Sequence, residues 1–424
     1  MTTTESATEM ESIESFRERA RQWLADNIPR GDSSLGGLMI FANEEDELAY
    51  ITEMRALQRQ YYEGGFAGIC FPKEYGGQGL SPAHQLAFNE EVVGYRFPAI
   101  LQVPTFVPCG AVLLEFGTEE QKKQHLPAMM RGDEIWMQFL SEPSGGSDVA
   151  GALTTAVRDG DEWVVNGSKI WTTGAWFSDY GLALVRTNWD VPKHRGLSVF
   201  IIEIDQPDIE LHRIEMINGS REFCQEFLTD VRVPDSDRVG EVDDGWTVGT
   251  RWMFHERASV GGGSPYVSGP RMRISDGGRR DQLVEVARAT GRLDDSRTLD
   301  LIGEARMLGR AGAELSRRIG EGMAARVFPD TTAAIARLMS SVVGVRVNSI
   351  SLELAGSGAA AAADDDPWRG AGMQFMMRQT ACIGGGTTEM ARNNIAERVL
   401  GMPREVTHDR NMPFRDVPKG PPGN

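Results

Sequence analysis

The stretch Gln138–Val149 reads QFLSEPSGGSDV, and further along the chain Lys169–Gly174 reads KIWTTG. The first is an apolar strand running into a Pro- and Gly-rich turn, with hydroxyls at Ser141 and Ser147. Such a turn leaves backbone N–H groups and hydroxyls facing outward, where they can hydrogen-bond the edge of a heterocycle or a phosphate. The second sets the Trp171 indole beside the hydroxyls of Thr172 and Thr173 at a strand end. Each taken alone reads equally well as a turn beside a core tryptophan.

Around these stretches the sequence is β-rich. Thr154–Arg158, Trp163–Val165 and Lys169–Trp171 are short runs divided by the turn signals Asp159-Gly160 and Asn166-Gly167, and Leu197–Ile204 and Glu226–Val233 continue the pattern. Helical patterning brackets them. Ile13, Phe16, Ala20, Trp23 and Leu24 recur at a helical period, with Glu14, Arg17, Glu18 and Arg21 on the other face. FPKEYGGQGLS (Phe71–Ser81) is a loop between helices, and Glu119–Met130 is a polar helix. Beyond Trp246 long apolar-periodic stretches cover 281–323 and 331–355. Gly356–Asp366 (GSGAAAAADDD) reads as a surface loop, and PFRDVPKGPPGN as a Pro/Gly-rich tail. The reading is therefore an α+β chain with an N-terminal helical domain (1–134), a middle β domain (135–240), a C-terminal helical bundle (241–400) and a tail (401–424). A chain of 424 residues is long enough for several cores.

A net charge of −17 argues against nucleic acid or anionic lipid as the main partner, while leaving room for a small anion in a local basic pocket. The six histidines form no metal-ligand spacing, so no metal is expected. Cys70, Cys109, Cys224 and Cys382 are scattered, as reduced thiols would be. Met1–Glu11 is polar and acidic, without the apolar core of a secretory signal. No run approaches the roughly 18 apolar residues of a membrane span. The expected location is the cytoplasm.

In this order and spacing the two opening stretches resemble the acyl-CoA dehydrogenase family, whose hallmark is a (T/S)-E-P-x-x-G-S-D turn followed by a K-x-W-(I/T)-(T/S) strand. The likeness extends to ICFPKEYGGQGLSP (Ile69–Pro82), GSREFCQEFLTDVRVP (Gly219–Pro234) and GGGTTEMARNNIAERVLGMPRE (Gly384–Glu405). The resemblance implies an FAD enzyme that removes hydrogen from the α and β carbons of a coenzyme A thioester and passes electrons to an electron-transfer flavoprotein. It further implies that Ser141 binds the flavin's pyrimidine edge and that Ser147 lies near the cofactor and the thioester's pantetheine arm. Trp171 would pack on the flavin and Thr173 would bond near N5. Gln138, Leu140, Gly146 and Thr172 would line the same cofactor site, and Thr387 and Glu389 a second loop against FAD. A dimer or tetramer is implied, of one chain type or two.

The chain departs from the family at its usual base, a Glu in an I-Y-E-G-T stretch. Here the matching residues are Ile383, Gly384, Gly385, Gly386 and Thr387, so Gly385 stands where the carboxylate belongs. Removal of an α proton requires a base. Isovaleryl- and long-chain-type members keep theirs early in the C-terminal domain, before an arginine, and here that place holds His255-Glu256-Arg257. Glu256 is the candidate base, with an ion pair to Arg257 as the alternative reading. Arg257 would support the site or the ligand, and His255 reads as a packed neighbour. Gly385 and Gly386 would face the acyl group, and Gly384 and Gly385, standing where the family has Tyr and Glu, leave room for a branched or ring-bearing acyl chain. The R-x-x-F-G and Q-x-x-G-G-x-G stretches that grip the FAD diphosphate across subunits are missing, with Arg279, Arg280 and Gly356–Gly358 as the nearest substitutes. Two other functions fit the same residues: a base-less subunit of a hetero-oligomer, and a flavin oxidase or monooxygenase on the same fold.

Overall fold

The first helix, α1 (Ile13–Asn27), begins where the Ser12 hydroxyl accepts the Ser15 N–H at 3.2 Å, and it buries Phe16, Ala20 and Leu24 along one stripe. The structure is a computed structural model that describes residues 10–31, 41, 43–260, 264–266, 278–360, 368–407 and 409–418. Next come α2 (Glu44–Glu63), whose Asn43 cap is followed by four acidic residues suited to the helix N-terminus, and α3 (Pro82–Glu91), which starts on proline. A single buried helical run follows, made of α4 (Ala99–Pro104), a π turn (Thr105–Gly110) and α5 (Ala111–Phe116). Pro104 and Pro108 lack the N–H groups a regular helix would use there. Helix α6 (Glu119–Arg131) is boxed by Thr118 and Gln121 and stopped by Gly132 at φ 79°.

Eight strands then form one sheet: β1 (Trp136–Phe139), β2 (Thr155–Asp159), β3 (Glu162–Thr173), β4 (Tyr180–Arg186), β5 (Leu197–Glu203), β6 (Ile209–Ile214), β7 (Phe223–Pro234) and β8 (Arg238–Val239). The order is β6-β7-β3-β2-β4-β5-β8, with β1 beside β4. Pairing is antiparallel except for β1 and β2 against β4. Alternation along β4 and β5 divides the core. Leu182, Leu184, Leu197, Val199 and Ile201 face the N-terminal helices, while Ala183, Val185, Phe200 and Ile202 pack on the other side with Trp163 and Val165.

The Asn166-Gly167 signal proves to be a bulge within β3 rather than a turn, for the register with β7 slips between Val165 and Gly167. Glycine is required there because a Cβ on Gly167 would stand 2.6 Å from the Thr154 Cα.

The C-terminal part comprises α7 (Gly245–Val260), α8 (Gly278–Ala289), α9 (Ser296–Ala324), α10 (Ala333–Ala355), α11 (Arg369–Met377) and α12 (Thr388–Asn394). The stretch 281–323 is two helices, separated where Gly291 adopts φ 68° and Asp295 caps α9 through the Thr298 N–H at 3.1 Å. Leu283, Val286, Leu301, Ile302, Ile350 and Leu354 form a separate core. The tail also departs from expectation: Phe414 is buried and belongs to a 3-10 turn, Phe414–Asp416.

The expectation of no span-length apolar segment is corrected as well. Ala99–Phe116 and Asp330–Ala359 are long and apolar enough to cross a membrane by length and composition. Pro104 and Pro108 interrupt the first in the sequence and scattered polar residues the second, but each averages out as apolar over its helical length. In the first, 67% of the apolar window is buried inside the protein; in the second, only 22% is.

Candidate active site

The two diagnostic stretches meet at a strand end. The Ile170 N–H donates to the Ser141 carbonyl at 3.0 Å, and Lys169, fully buried, extends Nζ to the Glu142 carboxylate at 2.8 Å and to the carbonyls of Leu184 (2.6 Å) and Leu140 (3.3 Å). Glu142 in turn accepts the N–H groups of Leu153 (2.6 Å) and Thr154 (3.0 Å). Every strong polar group in this knot is met, so the turn Glu142–Ala152 is held from beneath. On top lie Gly146 and Ser147, exposed. A Cβ on Gly146 would stand 3.5 Å from the Ser141 Oγ, in space the glycine leaves clear.

Trp171 is not a core residue. Its indole is 52% exposed, its backbone sits at φ 64°, and the β3–β7 register slips between Ile170 and Thr172. A bulky residue in the left-handed region is strained, and the consequence here is to lay a large ring on the open face, edge-on to Phe223 at 5.8 Å. Thr173 is exposed on the same strand end. Thr172, predicted to line the cofactor site, turns inward instead. It is buried and donates to Glu226 at 3.0 Å. Glu226 itself is fully buried, with one oxygen that has no partner among the described residues, and burial pushes its carboxyl up to about 8.

Gln138 has a role the sequence did not disclose. Its amide oxygen accepts the Trp252 indole N–H at 2.5 Å, fastening α7 to the strand that enters the Gly-rich turn. One turn beyond Trp252 lies Glu256, partly buried. Burial pushes its carboxyl above the usual range, and the positive charges of Arg257 and Arg337 draw it part of the way back. His255 is buried, with Nε2 2.8 Å from the Glu115 carboxylate. Arg257 is partly buried, and burial lowers its proton affinity against the pull of Glu256.

The glycine loop is shaped by Arg337, which sequence reading passed over as one cation in the apolar run AAIARLMSS. Buried on α10, it donates to the carbonyls of Ala381 (2.8 Å), Gly384 and Gly386 (3.1 Å) and to the Ser341 hydroxyl. Its Nε has no partner among the described residues. Gly385 and Gly386 take φ of 71° and 100°, a region that favours glycine. Arg337 therefore touches the loop where the family's usual base would sit and acts electrostatically on Glu256. Thr387 caps α12 by accepting the Met390 N–H at 3.1 Å. Glu389 is exposed, lining with Arg346 and Arg392 a groove of about 380 Å³. Gly356–Gly358 form the 3-10 turn after α10, whereas the side chains of Arg279 and Arg280 lie outside the described residues.

Comparison with known proteins decides the family. The acyl-CoA dehydrogenase N-terminal domain matches residues 10–133 and the middle domain residues 138–231. Acyl-CoA dehydrogenase IpdE1 of Mycobacterium tuberculosis is 33% identical over 399 residues, covering 94% of this chain and all of that one. The chain belongs to the acyl-CoA dehydrogenase family. It is an oxidoreductase of a family of flavoproteins. Among solved structures it is similar to the Tcur3481-Tcur3483 steroid ACAD (TM-score 0.74, 27% identity, 96% of this chain and 100% of that one). It is also similar to the ChsE4-ChsE5 complex from Mycobacterium tuberculosis (TM-score 0.70, 25% identity, 96% and 100%).

An acyl-CoA dehydrogenase needs a flat surface and hydrogen-bonding groups for its flavin. The exposed Trp171 ring, the adjoining Thr173 hydroxyl and the clearance over Ser141 at Gly146 fit a planar heterocycle with polar edges.

Proposed function

We propose that this acyl-CoA dehydrogenase binds FAD and oxidises a coenzyme A thioester with a bulky, ring-bearing acyl group to its 2-enoyl product, with Glu256 as base and an electron-transfer flavoprotein as acceptor. The observation that carries the reading is the pairing of a glycine loop empty of carboxylate with a partly buried carboxylate on the helix tied to the flavin turn. Glu256 would take the α proton, its basicity raised toward the working pH by burial. Bound FAD would supply the acceptor for the hydride that leaves the β carbon. Ser141, Trp171 and Thr173 would hold and orient the ring. Ser147 would lie along the pantetheine arm, and Arg337 would hold the glycine loop in place through its carbonyls.

The bulky-substrate reading is supported by Gly384 and Gly385 in place of larger side chains and by the likeness to a protein described as a steroid ACAD. We further propose a hetero-oligomer with a second acyl-CoA dehydrogenase-like chain. The mostly unburied apolar helix Asp330–Ala359 and the missing diphosphate motifs leave surfaces for a partner to complete, and the ChsE4-ChsE5 structure is a complex of two named chains.

The test is to purify the chain alone and co-expressed with its chromosomal neighbours, add FAD, and follow flavin absorbance on mixing with a panel of CoA thioesters. Bleaching by steroid or terpenoid thioesters is expected. A chain that stays colourless with excess FAD in both preparations, or a preference for short straight acyl chains, contradicts the reading.

A further inference from the structure

Helix α7 is gripped on two faces. Trp252 reaches β1 through Gln138. On the adjoining face Arg251 and His255, four residues apart and so aligned along the helix, both reach Glu115 near the end of α5. The Arg251 guanidinium makes a two-bond pair with that carboxylate, Nε to Oε2 at 2.8 Å and Nη2 to Oε1 at 2.7 Å. His255 Nε2 lies 2.8 Å from the same Oε1. One oxygen is thus shared by two residues about a helical turn apart. An ionised carboxylate only accepts hydrogen bonds, so Nε2 carries the hydrogen and Glu115 orients the imidazole.

This clamp has a buried end and an open one. His255 is buried, its ring edge-on to Phe254 at 5.4 Å and to Tyr266 at 5.7 Å, and Tyr266 packs in turn on Phe71 at 4.8 Å. Arg251 is partly exposed, with its guanidinium 4.6 Å from the centre of the Phe254 ring. The bonds from Arg251, and after them His255, hold the Glu115 carboxyl below the usual range. Burial lowers the proton affinity of His255 against the pull of Glu115, which leaves the ring neutral at neutral pH and Arg251 as the cation that answers Glu115. Ion pairs open to solvent add little to stability, so what this one supplies is placement of the helix.

Glu256 follows His255 directly and stands one turn beyond Trp252. A single bond from Trp252 to Gln138 fixes one point on α7 and leaves rotation about the helix axis open. Glu115 holds two points along the adjoining face and removes that rotation. We propose that Glu115 is a positioning residue for Glu256: through Arg251 and His255 it sets the rotation of α7 and hence the direction in which the Glu256 carboxylate points. This rests on the reading of Glu256 as the base. Glu115 acts through the helix and not on the substrate.

The experiment compares Glu115→Gln, Glu115→Asp and Glu115→Ala in the full chain, in the assembly that is active, by rapid mixing with acyl-CoA. Glutamine keeps an oxygen within reach of both Arg251 and His255. Aspartate keeps the charge but is one methylene short, and alanine removes both charge and contact. A misplaced reacting group loses rate rather than affinity. Glu115→Asp and Glu115→Ala should therefore lower the limiting rate per bound flavin about tenfold, with the half-saturating acyl-CoA concentration and the FAD content at wild-type values. Glu115→Gln should recover most of the rate. The proposal is overturned if Glu115→Asp and Glu115→Ala are reduced at the wild-type rate, if Glu115→Gln falls as far as Glu115→Ala, or if activity falls only in step with FAD content. Near-normal reduction in Glu256→Gln, measured alongside, would instead remove the base reading on which the proposal rests.

Discussion

The Trp252 indole donates to the Gln138 amide oxygen at 2.5 Å and so ties the helix bearing Glu256 to the strand that opens the Gly-rich turn. Glu256 and the Gly-rich turn lie in separate parts of the chain, one on α7 and one after β1, and this bond links them. Trp252→Phe keeps the buried ring but leaves the amide oxygen short of a donor, at a cost of about 1–3 kcal/mol. Thermal or urea unfolding should show that loss, and flavin reduction should slow more than FAD content falls. Unchanged kinetics would mean that α7 is placed without this bond.

The Lys169–Glu142 pair is the support under the turn. Removing one partner strands the other charge, and buried pairs broken in this way lose about 3–5 kcal/mol. Lys169→Met should lower stability by an amount in that range and weaken FAD retention with it. A urea midpoint near that of the wild type would show that the turn holds itself through the Leu153 and Thr154 N–H groups.

Much of this was legible in the sequence, and the exceptions share a cause. The periodicity of α1 and the strand pattern of Leu197–Ile204 are local and read correctly, whereas β4 and β6 have no counterpart in the sequence reading. Asn166-Gly167 was misread because the same dipeptide serves a turn and a bulge, and only the approach of Thr154 separates the two. Trp171 and Thr173 stand exposed at the strand end the motif marks, but the inward turn of Thr172 follows from the slip at Trp171, a tertiary event. Arg337 and Phe414 were missed because their meaning lies in partners remote in sequence: the glycine loop for one, Arg186 and Trp189 for the other. A single arginine within the apolar run AAIARLMSS was the available signal for Arg337.

Glu226 makes stability depend on pH in a direction opposite to that of most carboxylates. Burial raises its carboxyl from 4.5 to about 8, so the folded protein keeps a proton that the unfolded chain releases across that window. The stabilising contribution is complete below the lower value and declines as pH rises, by about 1.4 kcal/mol per pH unit. Glu226→Gln should be more stable than wild type at pH 8, with the advantage shrinking toward pH 5. Urea unfolding at several pH values checks this, and parallel stability curves for the two proteins would contradict it.

Arg337 should influence the reaction through Glu256. Its positive charge favours the carboxylate, so Arg337→Gln should raise the proton affinity of Glu256 and move the rising limb of the pH–rate profile for flavin reduction to higher pH. Arg337→Lys, which keeps the charge, should move it less. A profile unshifted in Arg337→Gln would confine the residue to holding the glycine loop.

The most direct test of the account is the rate of flavin reduction by acyl-CoA in Glu256→Gln, measured in a rapid-mixing experiment. The substitution keeps the shape of the side chain and removes the proton acceptor, and general-base catalysis contributes about 10²–10⁴-fold. The account predicts a fall in that range or beyond, with FAD content and thermal stability close to wild type. Reduction at a near-normal rate would contradict it and place the base on another residue or on a partner chain.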